Sequence, residues 1–317
     1  VPAAKPGQTR SQRTTRGAKP SRSADKLMAP LSRRGPHRVL RGDLGIVGMR
    51  GQVFAPESGR RVPAIAVGHT WMADSRRYRD LLYHFASWGF VTVAPDDNTG
   101  FFASDVGLAA DLRSALAVVS RVPLGSGAVT VDPDRIGLVG HGFGAAAAVM
   151  AAADQPILGQ RAPAVAGVAA LFPAPTTSML LPAAGLVTAP GLIVAGAGEL
   201  DTVEANALPL AQAYAGDVAL RTVPKGNARD LLERRTVKSL IGMNGSDRAV
   251  HGLVRAVCTG FLLHTVAGDA EYRAFSDADS SLGKLGVIDL DDPPVQPVDP
   301  VSHLLGVKPR KRRTRKS

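Results

Sequence analysis

The stretch Gly140-His141-Gly142-Phe143-Gly144 has the spacing of a chemical device whose central part is missing. A strand that ends in G-x-S-x-G and turns at once into a helix lifts a serine hydroxyl above a sheet, where it attacks an acyl carbon. The flanking glycines let the turn close tightly, and both are kept here. The central position is Gly142, which has no side chain and supplies neither an alkoxide nor a carboxylate. Glycine accepts a positive φ without a Cβ penalty, so the turn is expected to be more relaxed than one built on serine. His141 is not a direct replacement, because its side chain should leave the turn in another direction.

A turn of this kind belongs at the carboxyl end of a strand in an open parallel sheet. The hydrophobic pattern supplies such a sheet. Apolar runs of strand length occur at residues 61–68, 90–94, 135–140, 165–172, 191–197 and 218–223. Residues 48–55 alternate enough for an edge strand, and Pro56-Glu57-Ser58-Gly59 reads as a turn. Helical spacing covers 78–87, 108–119, 144–153 and 249–266. Strands that are apolar on both faces and alternate with helices predict a single α/β domain. It would have a mostly parallel twisted sheet with helices on both faces. Residues 182–190 read as a connection. The domain is expected over 45–275, between a basic disordered segment at 1–44 and a Pro/Asp-rich linker with a basic tail at 276–317.

The bulk numbers agree with a globular chain. It has 317 residues, 45% hydrophobic and 21% charged, enough for a large core. The net charge of +11 is unevenly spread. Residues 1–41 carry +10 and residues 308–317 carry +7, which leaves −6 on residues 42–307. The basic tails are therefore expected either to be solvated or to meet a polyanion, a nucleic acid or an anionic membrane surface. No aromatic residue interleaves these charges, which argues against base stacking. No apolar run approaches the length of a membrane span, and no secretory signal is visible. The single cysteine, Cys258, excludes an internal disulfide framework and reads as a buried small hydrophobe. The expected location is the cytoplasm, at most peripheral to an anionic surface.

Several segments, in order, resemble the α/β-hydrolase superfamily, above all its dienelactone-hydrolase-like and polyester-hydrolase-like esterases. These are residues 62–96, with His69-Thr70-Trp71 after one strand and Ala94-Pro95-Asp96 after the next; Asp132-Pro133-Asp134-Arg135-Ile136 before the glycine turn; and residues 196–201 and 225–232. The resemblance covers roughly residues 45–270. It implies the α/β-hydrolase fold and a Ser-His-Asp site. Gly142 then stands at the nucleophile position. One oxyanion donor would be the N–H of Phe143. The other would come from the His69-Thr70-Trp71 loop, where Thr70 replaces the usual glycine. Both are backbone groups, so the hole is expected to survive the side-chain losses. Gly198-Glu199-Leu200-Asp201 matches the acid loop, with Asp201 as the retained acid and Glu199 as second choice. Lys225-Gly226-Asn227-Ala228-Arg229-Asp230-Leu231 stands where Gly-Gly-Asn-His-x-x-Leu is usual, so the histidine position holds Ala228. A slip of one residue gives Asn227 or Arg229, and neither is a general base at neutral pH.

Structural readings stand beside these. His69 can be a strand-end histidine bonded to loop backbone, and Asp201 can cap a helix starting near Thr202. No cysteine–histidine cluster has zinc spacing, no P-loop is present, and the elbow lacks the third glycine of a dinucleotide loop, so no cofactor is expected. In a serine protease, loss of nucleophile or base costs about 10⁶-fold in kcat. The leading expectation is a pseudo-enzyme that acts as a ligand-binding or scaffold protein. Its pocket mouth would be built from Trp71, Phe101, Phe102, Phe143 and the Ala228 loop, enlarged by the lost side chains and open to a small apolar or acyl ligand. The first alternative is an active hydrolase of the carboxylic-ester type that uses Asp201, the oxyanion hole and His251. The second is a polyanion-associated protein that binds through residues 10–41 and 308–316, Arg310, Lys311, Arg312 and Arg313 among them.

Overall fold

A computed structural model describes residues 24–233 and 245–294 of the chain. Its centre is a sheet of nine strands in the order β1-β2-β4-β3-β5-β6-β7-β8-β9. These are β1 (Val39–Asp43), β2 (Gly51–Pro56), β3 (Gly59–Gly68), β4 (Val91–Pro95), β5 (Val129–His141), β6 (Val165–Leu171), β7 (Gly191–Gly196), β8 (Val218–Val223) and β9 (Gly286–Val287). The six from β4 to β8 in that order run parallel. β1 and β2 extend one edge antiparallel, and β9 the other. The helices are α1 (Ala24–Leu31), α2 (Arg79–Ser87), α3 (Asp105–Arg121), α4 (Phe143–Ala152), α5 (Leu180–Ala184), α6 (Ala207–Ala213) and α7 (Gly245–Thr265). The mixed α/β architecture with a mostly parallel sheet follows the alternation of strand and helix patterns.

The two-residue period of the strands sorts their side chains into two core layers. Ala64, Ala66, Leu138, Val168, Ala170 and Ile193 join the layer covered by α3 to α6. Ile65, Val67, Val139, Ala169, Leu171 and Val194 join the layer covered by α1, α2 and α7. Helix α3 shows how the outer elements attach. Its start is set by Ser104, whose side chain accepts from the Gly107 N–H. Its inner stripe, Leu108, Leu112, Leu116 and Val119, is almost fully buried. Each such side chain contributes about 1.5–3 kcal/mol by leaving water. The helix ends before Pro123, which biases Val122 to the extended backbone it adopts.

Order extends beyond the expected boundaries of 45 and 275. Within residues 24–44, α1 buries Leu27, Met28 and Leu31 in the layer it shares with α7, and β1 forms the sheet edge. An eight-residue helix gives too short an apolar stripe to read, and β1 carries exposed Leu40 and Arg41, so neither shows a clear period. Beyond 275, Leu282 and Leu285 are buried and β9 pairs with β8. Three backbone carbonyls there, of Asp277, Ala278 and Ser280, accept hydrogen bonds from the fully buried Arg221 guanidinium at 2.6, 2.6 and 3.0 Å. The readings for Arg310, Lys311, Arg312 and Arg313, and for residues 1–23, lie outside the described residues.

Candidate functional site

The loops that follow β3, β4, β5, β6 and β7 gather at one end of the sheet. The turn after β5 is held there by close approach. A Cβ on Gly140 or on Gly144 would overlap backbone, that of Gly144 itself or that of Gly68, so both positions must stay glycine for α4 to sit on the strands. Between them Gly142 has φ 56° and ψ −116°. This is a backbone state that side-chain-bearing residues avoid and that glycine adopts without a Cβ penalty. The Gly142 N–H donates to the Leu171 carbonyl at 2.9 Å, which anchors the turn to β6.

The space above Gly142 is filled. An ideal Cβ there would overlap the Thr70 hydroxyl oxygen and stand 3.1 Å from the Thr70 Cβ. Thr70 therefore occupies the space that a side chain at position 142 would take. Thr70 is held by a buried relay. Its N–H donates to the Tyr78 hydroxyl at 2.9 Å, and that hydroxyl bonds His141 Nδ1 at 2.7 Å. The Tyr78 hydroxyl thus joins the Thr70 backbone to the His141 ring. The Thr70 N–H is thus spent inside the fold.

His69 and His141 lie one residue past the paired Gly68 and Gly140, on neighbouring strands. Alternation turns both rings into the layer under α2 and α7, away from the turn's outer surface. Both are buried. His69 Nδ1 donates to the Thr70 carbonyl at 3.0 Å, as expected for a strand-end histidine bonded to its loop. Burial lowers its affinity for a proton, against the pull of Asp96 and Asp74. Burial also takes His141 down to about 4, helped by the charge of His251 on α7 and opposed by the Ala228 carbonyl. That carbonyl favours the protonated ring, although Nε2 has no partner at hydrogen-bond distance.

Ala228 begins a short 3-10 turn, Ala228–Leu231, fixed by a capping box in which Asn227 bonds the turn's N–H groups and Asp230 returns the bond. Of the two carboxylates in residues 198–201, the half-buried Glu199 meets this turn. The Ala228 N–H favours its charged form, but burial comes first and, with Glu204 and Asp230, raises its pKa. Asp201 is exposed. The next helix starts at Ala207 with Asn206 before it, so Asp201 does not stand at a helix start.

The aromatic residues of the expected mouth form an open rim. Trp71 is about half exposed and its ring centroid lies 5.8 Å from that of Phe101. Phe101 in turn lies 5.4 Å from Phe102, which is 94% exposed. Phe143 packs partly against the core. A groove of about 580 Å³ occurs elsewhere, lined by Ala29, Pro30, Arg33, Arg34, Gly35, Pro36 and Trp88 near the amino end of β4. It has no part in the turn. Among the described residues no group of His, Cys, Asp and Glu could hold a metal ion, and no helix is long and apolar enough to cross a membrane.

The sequence motifs pointed to the turn, the Thr70 loop and the Ala228 loop, and these do gather at one sheet end. Tyr78 was missed, since a tyrosine at a helix start carries no chemical signature. The pairing of Thr70 with Gly142 was the available signal for the filled turn. No known family model and no curated protein sequence matches the chain.

Proposed function

We propose that this chain is a catalytically silent relative of the α/β-hydrolase esterases that keeps their scaffold and works by binding. The observation that carries the reading is the overlap between Thr70 and the position a nucleophile's Cβ would take at Gly142. Two further features support it. The Thr70 N–H is bonded to Tyr78, and so is not offered to a developing oxyanion. Position 228 holds alanine, so the loop after β8 supplies no imidazole there to take a proton from a serine placed at 142. A ligand of this site would be apolar or acyl in character and would lie against the aromatic rim, over the turn and not within it.

Hydrolysis of short-chain p-nitrophenyl esters tests this. The wild type is expected to stay at background. A Thr70→Gly/Gly142→Ser/Ala228→His variant is expected to turn over measurably, and a Gly142→Ser variant is not. Wild-type turnover above background would overturn the proposal.

A further inference from the structure

The residues after β4 close into a loop whose tip carries Phe101 and Phe102, and one side chain does the closing. Asn98 Oδ1 accepts from the Ser104 N–H at 2.8 Å, a bond that ties the loop to the start of α3. The rest of the Asn98 amide lies on the first turn of α3, in the space that a side chain at Gly107 would need. Gly100, with φ 101°, turns the chain just before the tip. The tip then sets the Phe101 ring 5.8 Å from that of Trp71 and completes the aromatic rim.

Asp111 stands one helical turn beyond Gly107 on the same face of α3, and so meets this amide from the helix side. Its Oδ2 is buried and has no hydrogen-bond partner. Asp97, the residue before Asn98, brings a second carboxylate to the same place. Arg50 holds that one, through its backbone N–H at 3.1 Å and its Nε at 3.4 Å. The Asn98 amide and Arg50 favour a charged Asp111. Burial, first, and then the Asp97 charge outweigh them and push its pKa from 3.8 to about 6. The other charged groups around it are engaged elsewhere. Asp96 accepts from the Ser75 hydroxyl at 2.7 Å and Asp105 from the Thr177 hydroxyl at 2.9 Å, while Arg113 donates to carbonyls at the end of α4. A charged Asp111 is therefore left with a buried oxygen that nothing satisfies, beside a like charge.

We infer that Asn98 and Asp111 form a latch, which holds the Phe101–Phe102 tip against Trp71 while Asp111 is protonated and releases it once Asp111 is charged. The folded state binds this proton more tightly than the unfolded chain does. The contribution of the closed latch is therefore whole below pH 3.8 and is lost as pH rises through about 6. A ligand on the rim is then held more tightly at mildly acid pH than at pH 8. That consequence rests on the binding reading above, whereas the latch itself does not.

The chain has two tryptophans, Trp71 and Trp88, so in a Trp88→Phe protein the emission of Trp71 reads the latch directly. With no ligand present, this emission should move to the red between pH 5 and pH 8, with a midpoint near 6, as Phe101 leaves the indole. Asp111→Asn carries no charge at any pH and should keep the low-pH emission throughout. Asn98→Ala removes the closing acceptor and should give the high-pH emission throughout. Where Asn98→Ala does not fold, Asp111→Asn alone decides, because it keeps the size and shape of the side chain it replaces. An emission that stays constant from pH 5 to pH 8 in the parent protein overturns the inference. So does a change of the same size and midpoint in Asp111→Asn, which would assign it to another group. No ligand enters this test, so its result stands whichever way the ester assay falls.

Discussion

Thr70 and Gly142 share one space: the hydroxyl of the first stands where the second, were it any other residue, would carry its Cβ. The two positions lie on loops after adjacent strands, β3 and β5, so a change at one constrains the other. A serine fits at position 142 only if position 70 becomes small. The turn also keeps its positive φ, so the backbone penalty for a side chain persists.

The first prediction is therefore a coupling. Gly142→Ser should destabilise the fold by about 2–3 kcal/mol, from backbone strain together with overlap on Thr70. In a Thr70→Gly background the same change should cost about 1–2 kcal/mol less, as neighbours that share a space are not additive. Urea unfolding of the wild type, both single variants and the double variant completes the cycle. Additive single changes would show that the two positions do not compete.

The second prediction concerns the relay beneath them. Tyr78→Phe removes the hydroxyl that accepts from the Thr70 N–H and bonds His141 Nδ1, and strands two buried polar groups. The expected loss is about 1–3 kcal/mol, the cost of leaving such groups unpaired. A loss below about 0.5 kcal/mol would mean that water reaches the pair and that the relay is not closed.

How far the sequence could be read depends on what each element buries. β8 was legible over its full length because both faces of Val218–Val223 are covered. β5 was not: its pattern is interrupted by Asp132-Pro133-Asp134, yet the strand runs on as Val129–His141 through a register shift against β3. β1 and α1 escaped because an edge strand and a two-turn helix bury too few side chains to set a period. At the site, residue types marked Gly142, Thr70 and Ala228, but spacing could not say that Thr70 fills the turn or that Glu199, and not Asp201, meets Ala228. Those facts depend on side-chain directions set by distant packing.

Arg221 makes the same point and gives the third prediction. An arginine in the run Val218–Val223 looks like a solvent-facing break, but its side chain is fully buried and ties β8 to the carbonyls of Asp277, Ala278 and Ser280. Arg221→Ala should cost more than about 3 kcal/mol, because charge-assisted bonds are lost and the carbonyls keep no replacement donor. Arg221→Lys should recover only part of this, since an ammonium does not reproduce the guanidinium fork. Thermal unfolding reads the stability. Amide exchange should speed up first at residues 277–287, and unchanged exchange there would remove the role assigned to this side chain.

The fourth prediction is a pH dependence centred on Glu233. Its carboxylate accepts from the N–H groups of Asp80 and Leu81 at 2.8 and 3.1 Å, and so caps the start of α2 from a segment distant in sequence. Burial, then the nearby Asp80 carboxylate, pushes its pKa from 4.5 to about 7, against those two bonds and the charge of Arg255. A pKa raised in the fold means that the folded state holds the proton more tightly. The contribution to stability is present below pH 4.5 and is lost as pH rises through about 7. Glu233→Gln keeps an acceptor oxygen for both N–H groups and carries no charge at any pH. The unfolding free energy of the variant minus that of the wild type should therefore be near zero at about pH 5 and turn in favour of glutamine towards pH 8. His141 and His84 act with the opposite sign, since burial lowers them to about 4 and about 3 and their contribution is lost as pH falls below 6.5. They are common to both proteins and cancel in the difference. A flat difference across this range, or a wild type that is the more stable at pH 8, would mean that the charged cap on α2 outweighs its burial beside Asp80.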